Sequence, residues 1–341
     1  MFHKALWLRN WKQSKYVVVA FWIAMFYFLP FHYLSKLWNA MYIAVNYNQA
    51  INYRNYFNGD GLALYGAAIL IILAGSLIGR ERTNDSSDFH FSLPFSRKDL
   101  FLSKWLFGVG HIVIGLGINI LIVIALAETT MINMYERSNH WLLFYLIAVV
   151  VLTAIFSFAL FLGTITGNIV LQLVLSFVTL IFAHGLTALM EVAQRIHVDR
   201  VYGLVTQTEI FSTIITHLQP TYILQEYIVA YDEYSDFSVY SLDLYYLMVP
   251  VCVIIFSFLV GMLLYTRTKS ENNGKALLFP VLHLPFIVCT VICFALFGGY
   301  FIATLFNSTL ISYYIGFIGA GIGTFFFLRK IITLKLKSQM R

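Results

Sequence analysis

The sequence predicts an all-α integral membrane protein: a polytopic helical bundle of about eight transmembrane helices, N-in and C-in, with an N-terminal interfacial helix. Three observations carry this. Hydrophobic residues make up 60% of the 341 and charged residues only 11%, whereas a soluble domain carries about 25% charged residues. So much apolar surface without a polar coat would associate in water. Eight apolar runs, each roughly 18 residues or longer, recur along the chain and suffice to cross a bilayer. Finally, 17 of the 22 Lys and Arg residues fall on one side of the alternating plan those runs define, the side that faces the cytoplasm.

The chain opens with Met1–Lys15, where Phe2, Leu6, Trp7 and Trp11 are interleaved with Lys4, Arg9, Lys12 and Lys15 at helical spacing. Residues 1–15 fit an amphipathic helix lying in the interface with its indoles at headgroup depth. A positive flank that only sets topology is the plainer alternative. The spans follow as Tyr16–Leu34, Gly61–Ile78, Trp105–Ala127, Trp141–Gly163, Ile169–Met190, Tyr246–Thr266, Leu278–Ala303 and Thr309–Leu328. Each reads as helix because a helix satisfies its own backbone in lipid. Pro30, Pro250, Pro280 and Pro285 stand near helix ends or first turns, where a missing N–H is tolerated. The first run is longer than a signal-peptide core and no small-residue cleavage site follows it, so it is expected to be retained.

Residues 16–266 form a six-helix core, and 267–341 an additional hairpin with a basic tail. The outer segments hold Lys36, Arg54, Arg137, Arg195 and Arg200 and eleven of the 16 acidic residues. The net charge of +6 therefore reflects topology and contact with anionic lipid rather than nucleic-acid binding. The longest outer segment, 191–245, is rich in Asp, Glu and Tyr. Residues 210–218 and 222–230, flanking Gln219-Pro220, predict two short helices roofing the exit, with tyrosines at the wet border.

Several function classes drop out. Cys252, Cys289 and Cys293 lie in apolar runs without His or carboxylate neighbours, which argues for packing over metal binding. Gly274-Lys275 lacks the remainder of a phosphate-binding loop. Neither a His-Glu-x-x-His nor a Gly-x-Ser-x-Gly motif occurs. The chain is expected to be no enzyme and to hold no cofactor or metal; any energy for work comes from another chain. Within the spans as read, Asp, Glu, Lys and Arg are essentially missing, unlike ion-coupled transporters. Asn119 and Gln172, near helix middles, either line a translocation path or bond helices together. His111, His184 and His283 lie on three different helices and read as packing or lining residues. Glycines at 108, 110, 115 and 117, and again at 316, 319, 321 and 323, permit close helix approach.

The segment 80–104 differs from everything around it. Gly79–Asp88 is polar and solvated, and Phe89-His90-Phe91-Ser92-Leu93-Pro94-Phe95 is an apolar patch outside any span. Ser96-Arg97-Lys98-Asp99 then starts a helix, with Ser96 as cap and Asp99 at its positive end. The helix continues through Leu100–Lys104 into the bilayer, a rigid rod with a hydrophobic foot.

Gly79-Arg80-Glu81-Arg82, followed by Ser92-Leu93-Pro94-Phe95-Ser96-Arg97-Lys98-Asp99-Leu100-Phe101-Leu102-Ser103-Lys104, resembles the signature of ABC-2-type permeases. In that family a Glu-Arg pair ends the second helix, and a short coupling element precedes the third. The overall flavour is similar to permeases of the acetoin-utilisation and antimicrobial-peptide-resistance type. The resemblance implies a membrane subunit that pairs with a second permease subunit, identical or not, and binds cytoplasmic ABC ATPase subunits. ATP and Mg would belong to that partner, and a hydrophobic or peptide-like substrate would be exported. It places Glu81 and Arg82 at the ATPase-facing end of the second span, Phe89, Phe91, Leu93, Pro94 and Phe95 in the coupling element, and Ser96 and Arg97 at the start of the third helix. A sensor or scaffold that signals through a partner without transport would keep the same loop. Here Thr83-Asn84-Asp85 stands where the family often has a Gly-Thr pair, and eight spans replace the common six.

Overall fold

The computed structural model describes residues 4–47, 53–83, 95–198, 219–232, 235–268, 277–279, 281, 283–306 and 310–338. Among the described residues, seven helical stretches are long and apolar enough to cross a membrane; an eighth follows if Ile169–Leu180 and Gly185–Glu191 count as one span. The chain forms two compact units, Met1–Leu180 with Gln219–Leu278, and Ile181–Leu218 with Phe279–Arg341.

In the first unit, α1 (Lys4–Phe28) leads into α2 (Pro30–Tyr47). The boundary expected at residue 15 has no counterpart, because nothing between Lys4 and Phe28 interrupts a helix. Leu6, Asn10, Ser14, Val18, Phe21 and Met25 form one buried stripe at three- and four-residue spacing, so the amphipathic start and the span share a single face. After β1 (Asn55–Asn58), α3 runs Leu62–Thr83. Its π-helical turns at Leu62–Gly66 and Gly75–Gly79 free carbonyls for outside donors. Next come α4 (Arg97–Thr129), α5 (Trp141–Ile165) and the start of α6 (Ile169–Val198), which from Ile181 onward belongs to the second unit.

Short α7 (Pro220–Gln225) is followed by β2 (Ile228–Asp232), β3 (Ser235–Tyr240) and α8 (Met248–Arg267). The centre is α5, where Phe144, Ala148, Val151, Leu152 and Phe156 are fully enclosed. Helices α3, α4, α7 and α8 pack on it, while α1 lies on α3 and α4. An all-apolar helix with no polar face belongs at the middle of a bundle.

A three-stranded antiparallel sheet in the order β1-β2-β3 caps the end where α3 begins. Asn55 pairs with Tyr231 and Asn58 with Ile228, while Ile228 pairs with Tyr240 across the other edge. The helix expected over 222–230 stops at Gln225. Tyr227 and Val229 are buried while Ile228 and Ala230 are half-buried, a period-two pattern that suits a strand. The partner strand lies some 170 residues earlier in sequence, which local periodicity does not reveal. The companion helix expected over 210–218 lies outside the described residues.

The second unit contains α9 (His283–Leu305) and α10 (Leu310–Ser338), packed antiparallel. Gly298 faces Gly316 and Ala320, and Gly299 faces the Tyr313 ring. Gly319 and Gly323 meet nothing within 4 Å, so only part of the glycine cluster serves this contact.

Gly59 marks where the sheet meets the bundle. Its N–H donates to the Tyr227 carbonyl at 3.1 Å, and a Cβ there would overlap the Leu224 backbone carbonyl. Gly59→Ala should therefore destabilise the protein by about 1–3 kcal/mol. Gly110→Ala, whose Cβ would meet only Trp7 at 3.4 Å, should leave stability within about 0.5 kcal/mol of wild type. Thermal unfolding of both variants in the same detergent checks the contrast.

Candidate functional site

Arg9, Glu81, Arg82, Arg97 and Lys104 lie at the end of the bundle opposite the sheet. The spans are longer here than the hydropathy reading: α3 reaches Thr83 and α4 starts at Arg97. Glu81, Arg82 and Lys104 thus sit in helical turns and are 4%, 5% and 1% exposed. They pack inward because they neutralise one another. Glu81 Oε1 accepts from Arg9 Nη2 of α1 and from Lys104 Nζ of α4 at 2.5 Å. Lys104 Nζ also donates to the Leu77 carbonyl, and Gln13 Nε2 to the Ser76 carbonyl at 2.6 Å. Both carbonyls belong to the π turn of α3. One carboxylate therefore ties three helices together.

The other cations cap helix ends. Arg82 Nη1 donates to the Thr166 carbonyl at 3.1 Å, just past the end of α5. Arg97 Nη1 donates to the carbonyls of Thr266 at 3.1 Å and Thr268 at 2.7 Å, at the end of α8. Helix C-termini present unpaired carbonyls and partial negative charge, so guanidinium groups suit them. Ser96 caps α4 as expected, accepting from the Asp99 N–H at 3.1 Å and donating to Asp99 Oδ2 at 2.6 Å. Phe95 is half-buried against the core. Phe89, Phe91, Leu93 and Pro94 lie outside the described residues.

Glu81 and Arg82 are thus enclosed by their own chain, and any effect on a partner passes through the helices they hold. Arg9 and Lys104 were not singled out by sequence reasoning. For Lys104 the signal was a charge on the buried face of a largely apolar helix, but the shared partner Glu81 stands 72 positions from Arg9 and 23 from Lys104.

Gln172 is fully buried. Its Nε2 donates to the Ala159 carbonyl at 2.9 Å, and a Cβ on Gly79 or Gly163 would lie 2.6 or 2.5 Å from its amide. It is a clasp between α3, α5 and α6 in this conformation. Asn119 donates to the Gly115 carbonyl at 2.7 Å and borders a groove between α1 and α4.

A second polar cluster lies at the sheet end. Glu136, 3% exposed, accepts on Oε1 from the Tyr53 hydroxyl at 3.0 Å and Asn55 Nδ2 at 2.7 Å. Asn55 Oδ1 lies 2.9 Å from His32 Nε2. Burial pushes the Glu136 carboxyl above its ordinary 4.5, although both hydrogen bonds oppose this. Burial likewise raises Tyr53, and the neighbouring Glu136 adds to it. The cluster pins the first strand to the turn after α4. No group of three or more metal-ligating side chains occurs among the described residues.

Two measurements bear on these clusters. Glu81→Ala leaves Arg9 and Lys104 buried without their carboxylate and should cost about 3–5 kcal/mol. Adding Lys104→Met should recover part of that loss, so the double variant is more stable than additivity predicts; unfolding titrations in mixed micelles read this. At the sheet end, a carboxyl whose folded pKa is raised stabilises fully below 4.5 and loses that contribution as pH climbs through the raised value. The melting temperature of wild type minus that of Glu136→Gln should fall across that window.

Residues 51–216 match the family described as ABC-2 family transporter protein. The chain is 27% identical over 240 residues to the probable ABC transporter permease YtrD of Bacillus subtilis strain 168, spanning 68% of this chain and 66% of that protein. It is 23% identical over 321 residues to the probable ABC transporter permease YtrC of the same organism, spanning 88% and 90%. No solved structure matches.

Proposed function

The chain is an ABC-2-type permease, a multi-pass membrane subunit of an ABC transporter in the bacterial plasma membrane, and from that premise we propose that it exports a hydrophobic or peptide-like substrate under the drive of a separate ATPase subunit. The Glu81 end faces the cytoplasm, consistent with its wealth of Lys and Arg. ATP and Mg belong to the partner, which docks on the foot formed by residues 89–97. A second permease subunit, identical or related, completes the pathway.

One observation carries this reading. Lys104 on α4 and Arg9 on α1 share the Glu81 carboxylate of α3, and Arg97 at the foot of α4 holds the end of α8. A push on the foot therefore reaches α1, α3 and α8 together with α4. The partner's nucleotide states differ in their fit to the foot, and that difference shifts the bundle between two arrangements. Permeases of this kind are generally not enzymes, and no residue here is assigned a chemical step.

The test uses the permease co-reconstituted with its ATPase. Replacing Leu93 with Asp and Pro94 with Gly should preserve membrane insertion. It should lower permease-dependent stimulation of ATP hydrolysis by roughly tenfold, within the usual span of coupling energies. Unaltered stimulation would contradict docking at this foot.

A further inference from the structure

The first turns of α6 are seated on glycine. A Cβ on Gly75 would come within 2.8 Å of Leu173 Cδ2, one on Gly79 within 2.7 Å of the Ile169 Cα, and one on Gly163 within 2.5 Å of Gln172 Nε2. Gly75 and Gly79 stand one turn apart on α3, and Gly163 lies near the end of α5. Three missing side chains thus let α6 approach both backbones. Thr83 Oγ1 accepts from the Ile169 N–H at 3.0 Å, which ties α6 to α3. Gln172 Nε2 donates to the Ala159 carbonyl at 2.9 Å, which ties it to α5. Residues Ile169–Leu180 include no charged side chain.

Only one end of the Gln172 amide is satisfied. The side chain is fully buried, yet Oε1 has no hydrogen-bond partner. Turning the amide over would set Oε1 against the Ala159 carbonyl, acceptor against acceptor, so neither orientation pairs both ends. A carbon on Gly79 would already stand 2.6 Å from Oε1, which leaves no room for a water between them. An enclosed acceptor without a donor disfavours the arrangement that encloses it. Gln172 lies one turn inside α6 at the cytoplasmic end, so withdrawal of α6 from its seat would let water reach the oxygen.

We propose that the glycine seat of α6 is the joint at which the cytoplasmic end of the bundle parts during transport, and that Gln172 is the positioning residue that keeps this joint from locking shut. This rests on the reading of the chain as a transport subunit. Glu81 joins α1, α3 and α4, and Arg82 and Arg97 bring the ends of α5 and α8 with them. The start of α6 is held instead by close glycine contacts and neutral hydrogen bonds. The Nε2 bond favours the closed seat and the unpaired Oε1 opposes it, so the two ends of one amide set the balance.

The test uses the permease bound to its ATPase in nanodiscs, with Cys252, Cys289 and Cys293 replaced by Ala and spin labels at the exposed positions Lys98 of α4 and Val170 of α6. Pulsed electron resonance should resolve a shorter and a longer interlabel distance whose proportions change between nucleotide-free and ATP-bound complexes. Gln172→Met keeps the length of the side chain, removes the unpaired oxygen and gives water nothing to bind. It should enrich the shorter distance about fivefold or more, the worth of one unpaired buried acceptor. Gly79→Ala sets a carbon against Oε1 and the Ile169 backbone and should enrich the longer distance instead. If that variant does not assemble, Gly75→Ala, whose Cβ meets the flexible end of Leu173, supplies a gentler wedge with the same expected direction. A single distance in the wild type in both nucleotide states, or shifts in the same direction in the Gln and Gly variants, would overturn the assignment. Permease-dependent stimulation of ATP hydrolysis is read in the same nanodiscs. Stimulation with a single wild-type distance removes the joint and leaves the transport reading standing, whereas no stimulation removes that reading and the joint with it.

Discussion

Charge buried in a low-dielectric bundle must be matched, and Glu81 is where this protein meets that constraint. A lone carboxylate or ammonium there would lose several kcal/mol of hydration that lipid-facing helices do not return. Shared between Arg9 and Lys104, the carboxylate forces α1, α3 and α4 to keep one mutual arrangement at that end. The π turn of α3 exists in the same context: it turns two carbonyls outward, and Gln13 and Lys104 use them. Arg82 and Arg97 extend the arrangement by closing the ends of α5 and α8. Positive charge exceeds negative in this group, and the surplus is spread over helix-end carbonyls.

The opposite end follows a different rule. There the chain uses a sheet and neutral hydrogen bonds, with Glu136 held by Tyr53 and Asn55 rather than by a cation. One end is thus tied by ion pairs and the other by a carboxyl that burial drives toward its neutral form. Between them α5 supplies continuous apolar packing, so the two ends are joined by a core with little internal freedom.

Much of this was legible in the sequence. Hydropathy located the spans, and the cap of α4 was readable because Ser96 and Asp99 stand three apart at a helix start. What escaped was long-range. The hydropathy windows ended at Ile78 and began at Trp105, since a charged residue lowers any such window. Only the fold shows that Glu81 and Lys104 cancel and so belong inside. The sheet escaped for a related reason: β1 is four residues long, and its partner β2 is some 170 residues further along the chain. The stripe through Leu6, Asn10 and Ser14 could have shown that α1 is one helix, because its spacing continues unbroken into Val18 and Phe21. Asn119 and Gln172 stand out in the sequence as polar residues near helix middles, but depth in a helix does not tell a clasp from a channel wall.

The central claim is that the Glu81 cluster makes the ends of α3 and α4 one rigid body. Spin labels at the exposed positions Arg80 and Lys98, in the permease bound to its ATPase, measure this directly by pulsed electron resonance. The account predicts the same interlabel distance in nucleotide-free and ATP-bound complexes. A distance that changes with nucleotide would show the two helices parting at Glu81 and would contradict it.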